Sequence, residues 1–215
     1  MPRVRLVPRA AAWVLLALCL SSARAAELDV AVTEKGGATV EDAVVWLESR
    51  DVPMPRRAAQ TEIRQLDKRF IPLVTVVQTG TLIDFPNEDT VKHHVYSFSP
   101  AKSFEIQLYA GRPVAPLVFD KPGVVALGCN IHDWMQAFVR VVDSPWFAKT
   151  DARGRLKLTR LPAGSYTLHL WHPFQRADVP SRELTLRDGP PRVLALGIDL
   201  DPNLRKQRPQ VEDGY

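Results

Sequence analysis

The chain has 215 residues, with 28 lysines and arginines, 24 acidic residues, five histidines and two cysteines. Four of the arginines and one cysteine, Cys19, lie in the first 25 residues, so the rest of the chain carries equal numbers of basic and acidic side chains. This balance argues against nucleic-acid binding through a general basic surface, and a single remaining cysteine excludes an internal disulfide.

Residues 1–25 have the pattern of a secretory signal peptide. Three arginines open the segment, residues 10–20 are apolar, and Ala23-Arg24-Ala25 is a small-residue cleavage site. The apolar stretch is too short to span a bilayer, and no later stretch is longer. We therefore expect an exported, periplasmic protein that begins near Ala26 and is not inserted in a membrane.

After this leader, short apolar runs rich in Val, Leu, Ile and aromatic residues alternate with turn residues about every 8–12 positions, which is typical of strands. The predicted strands are 28–32, 43–47, 73–77, 81–85, 95–98, 124–127, 137–142, 156–158, 166–171 and 193–200. Residues 61–70 are compatible with one or two helical turns. The polar segment 201–215 is predicted to be disordered. The fold class is therefore all-β.

The predicted strands divide into a middle segment and two flanks. Residues 58–145 are predicted to form a Greek-key β-sandwich. In the first flank, the strands at 28–33 and 43–47 are predicted to pair as a hairpin, which would be marginally stable alone. We expect residues 26–57 and 146–200 to form together a second small β-sandwich that the middle domain interrupts. One continuous sandwich with extra strands is the alternative.

Four side chains of the middle segment are candidate metal ligands. Cys129, His132 and Met135 lie in one short run, and His93-His94 lies 36 residues before the cysteine. One thiolate, two imidazoles and one thioether are the donor set of a blue-copper centre, which has a trigonal His2Cys plane and a weak axial Met. The sequence therefore predicts a copper site, with the lone thiol occupied by the metal.

The upstream ligand and the metal each have an alternative. Neighbouring side chains on a strand point to opposite faces, so either His93 or His94 reaches the metal, but not both. We predict His93 and keep His94 as the alternative, because alternation fails at bulges. Zinc on the cysteine and two histidines is the alternative metal, although a thioether is a poor zinc ligand.

Several motifs resemble the cupredoxin superfamily, and the spacing Cys-x2-His-x2-Met is similar to the ligand loop of amicyanin. Most of the chain after the leader is similar to exported bacterial proteins labelled "methylamine utilization protein". The motifs are Phe85-Pro86-Asn87-x-Asp89, His93–Pro100, Phe104-Glu105, Leu108-Tyr109, Cys129–Met135, Pro145–Ala148 and Trp171-His172-Pro173. The resemblance implies a cupredoxin domain with His93, Cys129, His132 and Met135 as ligands. It also implies flanks like a carboxypeptidase-regulatory or transthyretin-like (prealbumin-like) sandwich.

Two positions depart from this family. His94 stands where cupredoxins usually have an Asn that hydrogen-bonds the cysteine loop, and Asp133 stands where amicyanin has a proline. We predict an electron carrier and not an enzyme, in which copper alternates between Cu(I) and Cu(II) and the partner is a cytochrome or a periplasmic oxidoreductase. His132 would expose one ring edge, with Trp134 and Phe138 around it as a docking surface.

Two other functions use the same residues. A copper-storage or delivery protein would hold copper without redox cycling. A hydrolase would use Cys129 as nucleophile with a histidine base, but this function leaves Met135 without a role.

Overall fold

The computed structural model describes residues 25–113 and 115–205, and its elements confirm the predicted all-β fold class. The signal-peptide prediction therefore lies outside the described residues, apart from Ala25. The described part holds seventeen strands and one four-residue helix, α1 (Pro202–Arg205), at the start of the tail predicted to be disordered. Residues 206–215 of that tail lie outside the described part. None of the described helical residues forms a helix that could cross a membrane.

The strands are short and follow each other closely along the chain. The first nine are β1 (Ala26–Glu34), β2 (Val44–Glu48), β3 (Gln60–Glu62), β4 (Arg64–Leu66), β5 (Arg69–Ile71), β6 (Val74–Gln78), β7 (Thr81–Asp84), β8 (His93–Ser99) and β9 (Lys102–Tyr109). The remaining eight are β10 (Leu117–Phe119), β11 (Gly123–Gly128), β12 (Gln136–Val142), β13 (Phe147–Lys149), β14 (Arg155–Leu161), β15 (Gly164–Trp171), β16 (Arg182–Leu186) and β17 (Arg192–Ile198).

The flanks of the chain build two facing sheets. The first sheet has the order β14-β1-β17, and the second sheet has the order β13-β2-β15-β16. In β1 the side chains of Leu28, Val30 and Val32 are buried while the intervening residues are partly exposed, as expected for a strand with one face on a core. These residues pack with Val45 and Leu47 of β2 in one hydrophobic cluster between the two sheets.

The predicted hairpin of the first two strands is wrong. β1 pairs with β14 in antiparallel and with β17 in parallel orientation, whereas β2 pairs with β13 and β15. The two strands therefore lie in different sheets and face each other across the cluster. Because each needs only one apolar face toward that core, their sequence pattern did not identify the sheet to which each belongs. The domain boundaries at residues 57 and 145 stay a prediction.

The middle segment builds two further sheets around its own core. The third sheet has the order β6-β12-β11-β8-β9, and the fourth has the order β10-β7-β3. Ile83 and Phe119 of the fourth sheet pack against Val95 and Val125 of the third, and all four are fully buried. The same cluster includes Cys129, so the candidate metal ligands lie at the edge of a packed core.

The second and third sheets pack on each other through a third cluster. Val44 and Trp46 of β2 contribute from one side, and Val74 of β6 and Val142 of β12 from the other. The guanidinium of Arg140 lies 4.4 Å from the centroid of the Trp46 ring, a cation–π contact. The four sheets therefore stack in order, with one apolar cluster between each neighbouring pair. The second sheet lies between two of these clusters, so β2 is buried on both faces.

Residues 61–70 do not form the helical turns with which their sequence is compatible; they contain parts of β3 and β5 and the whole of β4. β4 and β5 pair as an antiparallel hairpin joined by Asp67 and Lys68. Both joining residues have positive φ, 53° and 51°, the backbone of a type I′ turn. Neither is Gly or Asn, so the sequence carries no strong signal for this turn.

Candidate metal centre

The candidate ligands come from adjacent strands of the third sheet. His93 is the first residue of β8, Cys129 follows the last residue of β11, and Met135 precedes β12. β11 pairs with both β8 and β12, so the loop that holds Cys129, His132 and Met135 lies beside the start of β8. The sheet thereby brings together residues that are 36 positions apart in sequence.

Three of the predicted ligands converge. One ligand atom from each of His93, Cys129 and His132 lies within 4.8 Å of the other two. The Sγ atom of Cys129 is 3.9 Å from Nδ1 of His132. His93 and Cys129 are buried and His132 is partly exposed. A single ion placed among three such atoms would be screened from solvent on the side of His93 and Cys129.

Met135 closes the same loop. Its side chain is 1% exposed and belongs to the cluster that contains Cys129. Its backbone N–H donates a 2.9 Å hydrogen bond to the carbonyl of His132, which makes the ligand loop a tight turn. The buried thioether is therefore held next to the ligand loop by the backbone and by core packing.

The two ring nitrogens of His93 have different surroundings. Nε2 lies 2.6 Å from Oδ2 of Asp89. Nδ1 is buried and has no hydrogen-bond partner among the described residues. A buried ring nitrogen without a partner is costly unless something binds it. Because the carboxylate holds the other nitrogen, Nδ1 of His93 is the atom available to a metal.

Asp89 connects His93 to the β4–β5 hairpin. Its Oδ1 accepts the N–H of Asp67 at 2.7 Å, and its Oδ2 accepts the N–H of Lys68 at 3.0 Å. Burial alone would raise the pKa of Asp89, but the hydrogen bonds from His93 and from these two backbone N–H groups lower it below its ordinary value. The ionised carboxylate therefore satisfies a strained turn and orients a candidate ligand.

The hairpin also holds the ligand loop. Nε1 of Trp134 donates a 3.2 Å hydrogen bond to the carbonyl of Lys68. The Trp134 ring lies 5.2 Å from the His132 ring, centroid to centroid, and Trp134 is 46% exposed. The backbone of Lys68 therefore contacts both sides of the site, through Asp89 and through Trp134. The sequence showed Asp89 as part of a motif but gave no reason to assign it this role.

The environment of His132 favours its neutral form. Burial lowers the pKa of this imidazole below 6.5, and the charges of His93 and Lys68 lower it further, against a smaller opposing effect of Asp89. A neutral imidazole has a free lone pair, and metal binding requires one. At neutral pH His132 therefore does not need to lose a proton before it can bind a metal.

His94, the alternative upstream ligand, lies away from the cluster. Its Nε2 is 2.8 Å from Oε1 of Glu105 on β9, and its ring contacts Tyr96. Among the residues that the structure describes, its hydrogen bond goes to this neighbouring strand and not to the cysteine loop. The register of β8 and β9 shifts between His93 and Val95, and the two histidines have different partners, Asp89 for His93 and Glu105 for His94.

The two aromatic residues that were expected around His132 lie in different places, and the docking surface itself stays a prediction. Trp134 is exposed beside His132, as expected. Phe138 instead packs in the interface between the second and third sheets, with its ring centroid 5.8 Å from that of Phe174. Since Phe138 lies inside β12, which is covered by the second sheet, it does not face the partly exposed side of His132.

The donor set fits copper better than zinc. Two imidazoles and a thiolate converge, and a buried thioether lies in the same loop. Soft sulfur ligands suit Cu(I), and imidazole suits copper in either oxidation state. A tetrahedral zinc site on His93, Cys129 and His132 would leave the thioether without a function.

No protein-family model and no curated protein matches the chain. Part of the chain is similar to a copper-containing nitrite reductase from Thermus scotoductus SA-01, with 23% identity over 38% of this chain and 22% of that chain, and a TM-score of 0.35. A purple cupredoxin from Nitrosopumilus maritimus matches with 24% identity over 39% of this chain and 99% of its own, at a TM-score of 0.34.

A third similar structure is a reduced Cu(I) form of an amicyanin variant. It matches with 15% identity over 38% of this chain and 80% of its own, at a TM-score of 0.35. The similarity concerns the fold of this part of the chain alone, and the match spans less than a quarter of the nitrite reductase.

Proposed function

We propose that this chain is an exported blue-copper (type 1) electron-transfer protein. His93, Cys129, His132 and Met135 would hold the ion. The observation that carries the proposal is the convergence of His93, Cys129 and His132 within 4.8 Å, with Nδ1 of His93 buried and without a partner. Copper bound by these residues would supply a one-electron couple between Cu(I) and Cu(II).

Hydrogen bonds and core packing hold the candidate ligands in place. His93 is oriented by Asp89, and Asp89 is itself held by two backbone N–H groups of the β4–β5 hairpin. Cys129 and Met135 are almost completely buried. Side chains held by packing and by their own hydrogen bonds keep one geometry. A rigid ligand set suits electron transfer, because neither oxidation state then requires much rearrangement.

The partly exposed edge of the site is at His132. The Trp134 ring lies against this imidazole, and both Trp134 and Ile131 expose about half of their surface, 46% and 48%. An apolar surface around an accessible ligand allows another protein to approach closely without displacing charged groups. We therefore place the exchange of electrons with a redox partner, a cytochrome or a periplasmic oxidoreductase, at this edge.

A non-enzymatic carrier needs no substrate pocket, and the proposal assigns no catalytic residue. The alternative function is copper storage or delivery, which would use the same four ligands without redox cycling. Reversible redox titration of the copper-loaded protein separates the two. A carrier shows one reversible one-electron step and fast exchange with a cytochrome, whereas a storage protein binds Cu(I) and does not pass electrons at a useful rate.

A further inference from the structure

Three aromatic side chains form a row on the outer face of β8. The rings of His94 and Tyr96 lie 5.5 Å apart, and those of Tyr96 and Phe98 lie 5.2 Å apart, centroid to centroid. Alternate residues of a strand share a face, so these three point away from the core that contains Val95. The row leads from the region of the candidate metal centre toward the far end of β8.

Tyr96 lies directly on the backbone next to Cys129. It is the register partner of Gly128 on β11. A Cβ atom at Gly128 would lie 2.8 Å from Cζ and 2.9 Å from the hydroxyl oxygen of Tyr96, closer than real contacts allow. Glycine is therefore what lets the ring lie there. One peptide bond joins this residue to Cys129.

The other end of the row is open to solvent. Phe98 is 80% exposed and is the most exposed large hydrophobic residue in the described part of the chain. It lies opposite Ser103 of β9, so it is carried by the hairpin of β8 and β9. It contributes little to the core, but its ring contacts Tyr96 and extends the row to the surface.

We infer that Tyr96 and Phe98 form a second electron-transfer route, from Cys129 to the outer face of the β8–β9 hairpin. This inference rests on the proposed function. The first route leaves the site at His132 and Trp134, while the second leaves through the thiolate ligand, the Cys129–Gly128 peptide and the two rings. Electronic coupling is stronger through bonds and packed rings than across solvent, and this route offers both.

The transfer is a single-electron step without bond changes. The reduced protein loses one electron, and a one-electron acceptor protein at the β8–β9 face gains it. The phenol of Tyr96 keeps its proton and its ring is not oxidised, because the ring only couples the two ends. Tyr96 is thus a positioning residue for the electron path and does not bind the metal.

Attached photo-oxidants can measure the two routes separately. A ruthenium polypyridyl complex bound to an introduced histidine is placed opposite Phe98 by Ser103→His, or near His132 by Lys68→His. After a flash and quenching by ruthenium(III) hexaammine, the oxidised label takes one electron from the reduced protein. The rate is compared in otherwise native protein, in Tyr96→Leu and in Tyr96→Phe, with the reduction potential measured in each.

We expect Tyr96→Leu to slow electron transfer to the label at position 103 several-fold, and Tyr96→Phe to keep this rate near the native value. Neither variant should change the rate of transfer to the label at position 68. Phe98→Ala tests the outer end in a variant whose core is untouched, and should also slow the Ser103 label alone. Equal rates at the Ser103 label in native protein and Tyr96→Leu would overturn the inference. An equal fall at both labels would also overturn it, since it would show a general change of the site.

A second readout needs no metal. In the metal-free protein the Tyr96 ring should shift the Gly128 Hα resonances upfield, and this shift should vanish in Tyr96→Leu and persist in Tyr96→Phe. If native protein lacks this upfield shift, the Tyr96 ring does not contact Gly128, and the second route is contradicted. A native protein with this shift but no reversible one-electron potential would instead contradict the proposed function, and the second route would fall as a consequence.

Discussion

The carboxylate of Asp89 lies 2.6 Å from Nε2 of His93, four residues later in the chain. The same carboxylate accepts the N–H groups of Asp67 and Lys68, two consecutive residues with positive φ. One side chain therefore orients a candidate metal ligand and stabilises the turn of the neighbouring hairpin. Groups that orient a ligating histidine in this way tune both its direction and its basicity.

Replacing Asp89 by Asn should weaken metal binding without removing a ligand. Asn has the same size as Asp but carries no negative charge. The variant therefore loses the carboxylate that orients His93 and accepts two backbone N–H groups. We expect the affinity for copper to fall by about 10–100-fold. Competition with a chelator measures it. Glu88→Gln is the control, since Glu88 forms an exposed ion pair with Arg64 and should leave the affinity unchanged. Equal affinities in native protein and Asp89→Asn would contradict the role given to Asp89.

Replacing Met135 by Leu should keep copper bound and raise the reduction potential. The change removes the axial donor that tunes the potential, and the lower coordination number that remains is tolerated better by Cu(I) than by Cu(II). Because the two side chains have similar volume, the cost in the free energy of unfolding should stay below about 1.5 kcal/mol. Cyclic voltammetry measures the potential. Met54→Leu, which replaces a methionine outside the site, is the control. If both variants change the reduction potential equally, the thioether of Met135 is not a ligand.

The choice between the two adjacent histidines can be tested by cavity variants. His93→Gly should lose the visible spectrum of the copper form and recover it when imidazole is added, because the free ring can enter the space left at the site. His94→Gly removes a contact with Glu105 and should keep the spectrum without imidazole. Recovery by imidazole at position 94 alone would make His94 the ligand.

Tyr109 should make stability depend on pH in the alkaline range. Burial raises the pKa of this phenol to about 12, with Gln65 opposing and the charges of Asp84 and Cys129 adding to the rise. A raised pKa favours the neutral form in the folded state. Its contribution to stability is therefore complete below the ordinary pKa of 10.0 and is lost as the pH rises from there toward 12.

Tyr109→Phe supplies the comparison for this pH effect. The hydroxyl donates to the carbonyl of Phe85 and accepts from Gln65. Its loss should cost about 1 kcal/mol of unfolding free energy at neutral pH. Denaturant unfolding across the alkaline range, with ultraviolet titration of the phenol, measures both effects. If native protein and Tyr109→Phe lose unfolding free energy in parallel above pH 10, a group other than Tyr109 causes the alkaline loss of stability.

The sequence allowed the all-β class and the converging residues to be predicted, because both depend on local pattern. A short apolar run before turn residues predicts β1, and the spacing of Cys129, His132 and Met135 predicts the ligand loop. The sheet partners could not be predicted in the same way. β1 and β2 each present an apolar face to one core, and the pattern is the same whether they pair side by side or face each other.

The support of the site was also hidden in the sequence. The β4–β5 hairpin turns at Asp67-Lys68, which lacks the glycine or asparagine that usually marks a type I′ turn. Asp89 makes this turn possible from 22 residues away, through a contact that no local pattern shows. Phe138 is close to His132 in sequence, but it lies in β12 on the face that the second sheet covers and packs between the second and third sheets.

The most direct measurement is the visible and electron paramagnetic resonance spectrum of the copper-loaded protein, recorded beside that of Cys129→Ser. An ion held by the buried sulfur should give native protein an intense thiolate-to-copper absorption, and the serine variant should lack it. An unchanged spectrum in Cys129→Ser, or native protein that binds copper without this absorption, would contradict a blue-copper centre.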